Sequence, residues 1–302
     1  MDFSRCALSG RYYGGSEKKL GIIMSGAEYM LKFQKETAFG FRNNHFSEYI
    51  GSHVFAAMGF SAQETYLGYY KKRQVVACRD FNVQGAQFVP FNDVGESTLD
   101  QDKELYQYEY EDIMQMLRDN SKLTDVEETV TAFWRTYIVD ALLGNFDRHG
   151  GNWGFIRRNN KYSLAPVFDN GSCLFPNLTD EEEMLRIIDS EDETDRRVFT
   201  FPTSQIRLRG RKSSYYEVIN SLEFPECSRA LDYVYEKLDM EKIVKIVDET
   251  PMLSEMQRRF YKHMLWARYK KILEAPYLKM KAKEGKRWDN DERDQDNGHD
   301  MR

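Results

Sequence analysis

The stretch Leu143-Gly144-Asn145-Phe146-Asp147-Arg148-His149-Gly150-Gly151-Asn152-Trp153-Gly154-Phe155 packs an acid, a base, an imidazole and a second amide between glycines. Upstream, Val126, Val130, Phe133, Tyr137, Ile138, Ala141 and Leu142 form an apolar stripe at helical spacing, which predicts a buried helix ended by Gly144. Thr124-Asp125-Val126-Glu127 reads as its capping box. Downstream, residues 153–156, a turn at 157–161 and residues 162–168 read as a strand hairpin that leads into Asp169-Asn170-Gly171. A hairpin brings its two ends together, so Asp147, Asn152 and Asp169 are expected within reach of one site.

Two carboxylates and an amide are hard oxygen donors. They suit Mg²⁺, which takes few protein ligands and keeps places for phosphate and water. Asp-x₄-Asn, then Asp-x-Gly after a hairpin, is the spacing used in protein-kinase-type phosphoryl transfer. There the first Asp orients the acceptor hydroxyl, and the Asn and second Asp hold metal. Taken alone, Asp-x₄-Asn is a weak signal, and the plain alternative is a loop whose Asp and Asn cap turns.

The first half of the chain shifts that balance. Residues 20–24 and 28–33 read as a hairpin, 45–58 as a helix with Phe46, Ile50, Val54, Ala57 and Met58 on one side, and 65–70 and 74–81 as two further strands. Gly59 stands where a helix-ending glycine is expected. Lys32 lies inside the apolar run Tyr29-Met30-Leu31-Lys32-Phe33 and shares a strand face with Met30. A lysine there is either paired or snorkels from an edge. Glu48 is an available partner, and its helical neighbours Gly51 and Ser52 are small enough to let the helix approach the sheet closely. A strand Lys paired with a Glu on the following helix is a kinase arrangement. Gly14-Gly15-Ser16-Glu17-Lys18 can set backbone N–H groups and a lysine over phosphates, or be an ordinary turn.

These motifs sit in a chain of 302 residues, of which 41% are hydrophobic and 30% charged. Such a composition fits a globular protein with a sizeable core and excludes disorder over most of the length. No window of 18 apolar residues occurs, and the N-terminus lacks a long apolar region, so neither a membrane span nor a cleaved secretion signal is expected. The net charge of −6 argues against nucleic acid as the main partner. Cys6, Cys78, Cys173 and Cys227 lack metal-ligand spacing and read as reduced thiols in a cytoplasmic protein, with secretion as an effector left open.

Residues 82–104 read as a connection, and 176–214, with its acidic then basic runs, as solvated faces or mobile loops. Two amphipathic helices are expected over 228–248 and 252–274, the second started by Thr250-Pro251. The charged tail from 281 to 302 is expected to be disordered.

At this point the sequence resembles the HipA-like kinases, most closely their short CtkA-type members. The matching stretches are YGGSEKK at 13–19, YMLKF at 29–33, SEYIGS at 47–52, VVACRDF at 75–81, LLGNFDRHGGNWGF at 142–155 and APVFDNGSCLFP at 165–176. The resemblance spans roughly residues 10–275. It implies an α+β, two-lobed protein-kinase-like fold, with a small sheet-plus-helix N-lobe over 1–95 and a mainly helical C-lobe over 96–280. It also implies an ATP- and Mg²⁺-dependent Ser/Thr protein kinase able to autophosphorylate, acting on a protein substrate. Lys32 would bind the α/β-phosphates and pair with Glu48, and Asp147 would be the catalytic aspartate. Asn152 and Asp169 would bind Mg²⁺, and Gly14, Gly15 and Lys18 would cover the phosphates. Arg148 and His149 would hold the loop or neutralise phosphate charge, and adenine would lie near the strand at 75–81 and the connection after it.

The chain departs from the pattern in three places. Asn170 replaces the Phe of Asp-Phe-Gly, and His149 follows the catalytic aspartate instead of preceding it. The strands begin near residue 10, which leaves no room for the extra N-terminal domain of longer HipA-type proteins, so a HipB-like antitoxin partner is not expected.

Two rival readings use the same scaffold. A lipid or small-molecule kinase is suggested by the likeness of Asp-Arg-His-x-x-Asn to phosphatidylinositol kinases, with Arg207, Arg209, Arg211 and Lys212 as a head-group patch. A kinase-shaped binding module would be expected to have lost Lys32, Asp147, Asn152 or Asp169, and all four are present.

Overall fold

The computed structural model describes residues 1–14, 18–38, 40–82, 85–95, 109–119 and 125–285. Alternating apolar residues in the first third build an antiparallel sheet from β1 (Ala7–Leu8), β2 (Lys19–Met24) and β3 (Ala27–Phe33). A small hairpin of β4 (Glu36–Thr37) and β5 (Gly40–Phe41) precedes α1 (Asn44–Ala57), β6 (Thr65–Tyr70) and β7 (Arg73–Arg79). The sheet order is β1-β2-β3-β7-β6. Period-two alternation gives it two different faces. Ile22, Tyr29, Leu31, Phe33, Val75 and Ala77 pack on one side with Phe3. Leu67, Val76 and Cys78 pack on the other against Phe46, Ile50, Val54 and Phe55 of α1. Lys32 lies between Leu31 and Phe33 in sequence, so it faces α1.

The expected strand, strand, helix, strand, strand order holds here. The expected connection over 82–104 does not. It contains β8 (Gln87–Pro90) and α2 (Phe91–Gly95), while 96–108 lies outside the described residues. The partner of β8 comes far downstream, so no local hairpin signal marks it. After α3 (Tyr110–Asp119) and α4 (Val126–Leu143), β9 (Gly154–Arg158) pairs with β8 on one side and with β10 (Lys161–Leu164) on the other. Asp125 caps α4 by accepting from the Glu128 N–H, one residue later than the expected box, whose Thr124 lies outside the described residues. Gly144 ends α4 at φ +64°, as expected.

The 176–214 region is ordered helix and strand rather than loop. It holds α5 (Glu181–Asp189), α6 (Glu191–Asp195), a π-helical turn at Arg196–Thr200, and the hairpin β11 (Thr203–Leu208) and β12 (Arg211–Ser214). The acidic runs are helix first turns, capped by Asp180 and Ser190, where carboxylates meet the positive end of the helix dipole. The rest is α7 (Tyr215–Ser221), α8 (Pro225–Lys237), α9 (Met240–Glu249) and α10 (Glu255–Arg268). The single helix expected over 228–248 is two, because Asp239 accepts from the N–H groups of Glu241 and Lys242 and starts a new one. The start expected at Thr250-Pro251 lies instead at the Ser254/Gln257 capping box, and Thr250 ends α9. Helix continues over 275–285, so the first residues of the expected tail are ordered, and 286–302 lies outside the described residues.

The result is a small sheet-plus-helix lobe on a mainly helical one. One continuous core runs from α1 and the inner sheet face through α4 to α10. All four cysteines are free thiols. No helix among the described residues is long and apolar enough to cross a membrane.

Candidate active site

Lys32 is nearly inaccessible, with a relative exposure of 4%. Its ammonium is 2.8 Å from Glu48 Oε2 and 2.9 Å from Asp169 Oδ1. Burial alone would lower the lysine pKa, but the two carboxylates outweigh it and hold the group well above its ordinary value. Burial likewise would raise the Asp169 pKa. Lys32, then Arg148 and Lys19, reverse this and hold it below the usual carboxylate range. Asp169 spends Oδ1 on Lys32, and Oδ2 takes no hydrogen bond among the described residues.

The loop after α4 is held from below by a buried ion pair. Asp140, on the last turns of α4, is 1% exposed. Arg148 Nε donates to Asp140 Oδ2 at 2.9 Å, and its Nη2 to Asp140 Oδ1 at 3.0 Å. The same guanidinium donates to the Asn152 carbonyl at 3.0 Å, to the Phe168 carbonyl and to Asn170 Oδ1. One planar fork thus ties α4, the 147–152 loop and the 168–170 loop together. Asn145 adds a second brace: its Nδ2 donates to Asp140 Oδ1 at 2.9 Å and its Oδ1 accepts from the Asp147 N–H at 3.0 Å. The Tyr215 hydroxyl donates to the Asn145 carbonyl at 2.6 Å.

Within this frame the Asp147 side chain stays open to solvent, 47% exposed, with His149 Nε2 3.9 Å from its Oδ1. Burial of the remainder raises its pKa, and Asp169 adds to the rise, while His149, Lys212 and Arg42 act against it. Asn152 Nδ2 donates to the Asp147 carbonyl at 2.8 Å, so the amide oxygen is the atom left for a cation. β9 and β10 bring the Asn152 and Asp169 loops together as the hairpin reading expects, with Phe155 opposite Leu164.

Asn170 is fully buried. Its N–H donates to Glu48 Oε1 at 3.0 Å and its Nδ2 to Ser52 Oγ at 3.0 Å. Gly51 is small for the same reason: a Cβ there would lie 2.6 Å from Asn170 Cβ. The small α1 residues therefore admit the 169–171 loop, not the sheet.

The glycine segment is placed only in part, because Gly15 lies outside the described residues. Arg11 Nη1 and the Tyr13 hydroxyl both donate to Asp80 Oδ2, at 2.6 and 2.8 Å, which folds the segment over the end of β7. A Cβ on Gly14 would meet nothing within 4 Å, so neither packing nor a turn calls for glycine there. The expected role of Lys18 meets an obstacle. Its ammonium lies 5.2 Å over the Phe33 ring, on the sheet face away from Lys32. Lys19 is the residue opposite Lys32 across β2 and β3, and its Nζ donates to the Gly14 carbonyl at 2.7 Å.

Comparison with known proteins settles the family. The HipA-like C-terminal domain matches residues 12–250. The chain belongs to that family. It is 32% identical over 288 residues to the serine/threonine-protein kinase CtkA of Helicobacter pylori, covering 92% of this chain and 88% of the relative. The crystal structure of a Helicobacter pylori proinflammatory kinase CtkA superposes with a TM-score of 0.86 over 92% of this chain and 97% of that one. HipA of Shewanella oneidensis, solved with HipB and operator DNA, shares the fold at a TM-score of 0.55 and 13% identity, covering 90% of this chain and 67% of that one.

In this HipA-like chain the sequence reading missed Asp140 and Asn145, which brace the loops, the bracing role of Asn170, and Lys19. It also missed an aromatic trio beside Asp169. The Phe81, Phe88 and Phe168 rings lie 5.1 to 5.8 Å apart, at the end of β7, on β8 and next to Asp169. Strand alternation would have found Lys19, because Lys19 and not Lys18 pairs with Lys32. A cavity of about 500 Å³ lies behind the loop against Asp140 and Arg148 and is lined by none of Lys32, Asp147, Asn152 or Asp169.

Proposed function

We propose that this HipA-like chain is an ATP- and Mg²⁺-dependent Ser/Thr protein kinase that can phosphorylate itself as well as a protein substrate. One observation carries the reading: Lys32 is clamped between Glu48 and Asp169 while Asp147 stands solvent-open on the adjoining loop. Phosphoryl transfer needs positioning and charge neutralisation more than covalent chemistry, and this arrangement supplies both. Lys32, held by Glu48, binds the α/β-phosphates. Gly14 leaves space for a phosphate to approach the backbone, and Lys19 adds a cation on the Lys32 face. The Phe81, Phe88 and Phe168 rings offer the adenine an apolar face near the strand expected for it.

The donors fit a divalent cation that takes few protein groups. The Asn152 amide oxygen and Asp169 Oδ2 are hard oxygens, unspent among the described residues. When bound, Mg²⁺ neutralises phosphate charge. Asp147 orients the acceptor hydroxyl and takes its proton, and Arg148 fixes the loop from behind. We take the small lobe to run to residue 95, with β8 pairing across to β9 of the large lobe.

Asp147→Asn tests the reading. The variant is expected to lose γ-phosphate transfer by a factor of about 10² or more while nucleotide binding persists. Full transfer activity in this variant would remove Asp147 from the role.

A further inference from the structure

A cavity of about 500 Å³ opens beside the catalytic loop, with Phe146, Phe175, Leu178, Thr200 and Phe201 in its wall. Phe146 directly precedes Asp147, and a chain advances at most about 3.6 Å per residue. A segment that presents a hydroxyl to Asp147 therefore carries its neighbouring side chains past this opening.

The charges on the rim cancel one another. Arg196 is 3.0 Å from Glu193, and Arg197 is 2.8 Å from Glu193 and 3.2 Å from Glu183. What remains to select a ligand is aromatic. Phe201 is 46% exposed, and its ring centroid is 5.6 Å from that of Phe146. Two rings at the mouth of a cavity beside the loop give an apolar side chain a concave surface to bind.

Arg42 and Lys212 have no carboxylate partner among the described residues, and the segments that carry them are tied to the wall of the cavity. Asn43 fixes the neighbouring Arg42: its N–H donates to the Pro176 carbonyl at 2.8 Å and its Nδ2 to the Leu178 carbonyl at 3.3 Å. That is the segment that walls the cavity. Arg42 Nε is buried without a hydrogen bond among the described residues. Lys212 comes from the other lobe, on β12, in a hairpin whose Gln205 Nε2 donates to the Phe146 carbonyl at 2.9 Å. Both cations act on the Asp147 carboxylate through space.

We propose that this cavity and the Arg42/Lys212 pair together form the recognition site for the acceptor segment of a protein substrate. An apolar side chain next to the phosphorylated Ser or Thr enters between Phe146 and Phe201, and an acidic side chain of the same segment meets Arg42 and Lys212. The proposal rests on the phosphotransfer reading and adds the substrate class.

The test is phosphate transfer from ATP to Ser/Thr peptides whose neighbours are apolar or polar and acidic, neutral or basic. Nucleotide affinity of each variant is measured alongside to show that it is folded. The wild-type chain is expected to favour apolar-plus-acidic peptides by roughly tenfold or more in kcat/KM. Phe201→Ala is expected to raise KM about tenfold for the apolar peptides while leaving the polar ones unchanged. Lys212→Glu is expected to turn the acidic preference into a basic one. Equal kcat/KM on all peptides, or a Phe201→Ala loss uniform across them, overturns the proposal. Self-phosphorylation without transfer to any peptide overturns it alone, whereas no transfer to any acceptor overturns the kinase reading with it.

Discussion

Glu48 divides its two oxygens between two loops of the site: Oε2 accepts from Lys32, and Oε1 accepts from the buried N–H of Asn170 at 3.0 Å. A single side chain on α1 therefore sets the lysine in the small lobe and the residue that follows Asp169. Movement of α1 would disturb both at once.

The two bonds can be separated by mutation. Glu48→Ala removes both and leaves part of a buried ion pair, a change that costs about 3–5 kcal/mol of stability. Glu48→Gln keeps an oxygen for Asn170 but loses the charge beside Lys32. Both variants are expected to lose about 10² in kcat/KM for ATP, the Ala variant alone with a marked drop in unfolding free energy. Chemical denaturation and steady-state kinetics measure the two effects. Wild-type kinetics in Glu48→Gln would show that the charge is not needed.

The elements nearest the chemistry were legible because each had a local rule. Lys32 stood out as a charge in an apolar strand, α4 followed a 3.6-residue stripe, and the β9–β10 hairpin brought the loop of Asp169 to the loop of Asn152. The braces were not legible, because a buried polar network has no period. Asp140 sits in the apolar face of α4 and is explained by Arg148 and Asn145, and Asn170 by Glu48, Ser52 and Arg148. β8 was missed for a related reason, since its partner β9 lies beyond α2, α3 and α4. Lys18 reads as the lysine of the glycine segment, whereas strand pairing sets Lys19 opposite Lys32.

Arg148 satisfies four separate acceptor groups from one planar head. Lysine cannot span them, so Arg148→Lys is expected to fold but to lose about 10² in kcat through a misplaced Asp147. Asp140→Ala goes further, since it leaves the guanidinium buried and unpaired, at about 3–5 kcal/mol. Denaturation midpoints and kcat would show the split, and a fully active Arg148→Lys would contradict the bracing role.

Gly51→Ala opposes two effects of similar size. Alanine gains about 1 kcal/mol in helix propensity over glycine. Its Cβ would lie 2.6 Å from Asn170 Cβ, and overpacking of this kind costs about 1–3 kcal/mol. The net change in stability is therefore small, within about 2 kcal/mol. The 169–171 loop gives way instead, and activity is expected to fall about tenfold or more. Thermal melts and ATP turnover measured together check this; an active variant with an unchanged melt would mean that the loop has slack.

The pH dependence follows from Asp147. Burial, with Asp169 adding to it, places its pKa above the ordinary 3.8, while His149, Lys212 and Arg42 pull it down. A proton-accepting carboxylate works when deprotonated, so activity rises as pH climbs through the raised value, and the acid limb of kcat/KM lies above 3.8. Removing a favourable cation makes the charged form harder to reach. Lys212→Ala and Arg42→Ala should each move the limb to higher pH, and the double variant further still. Because kcat/KM reports the free enzyme, the profile must be taken at low ATP and low acceptor. A limb at or below 3.8, or a shift to lower pH in either variant, would mean that the titrating group is not Asp147.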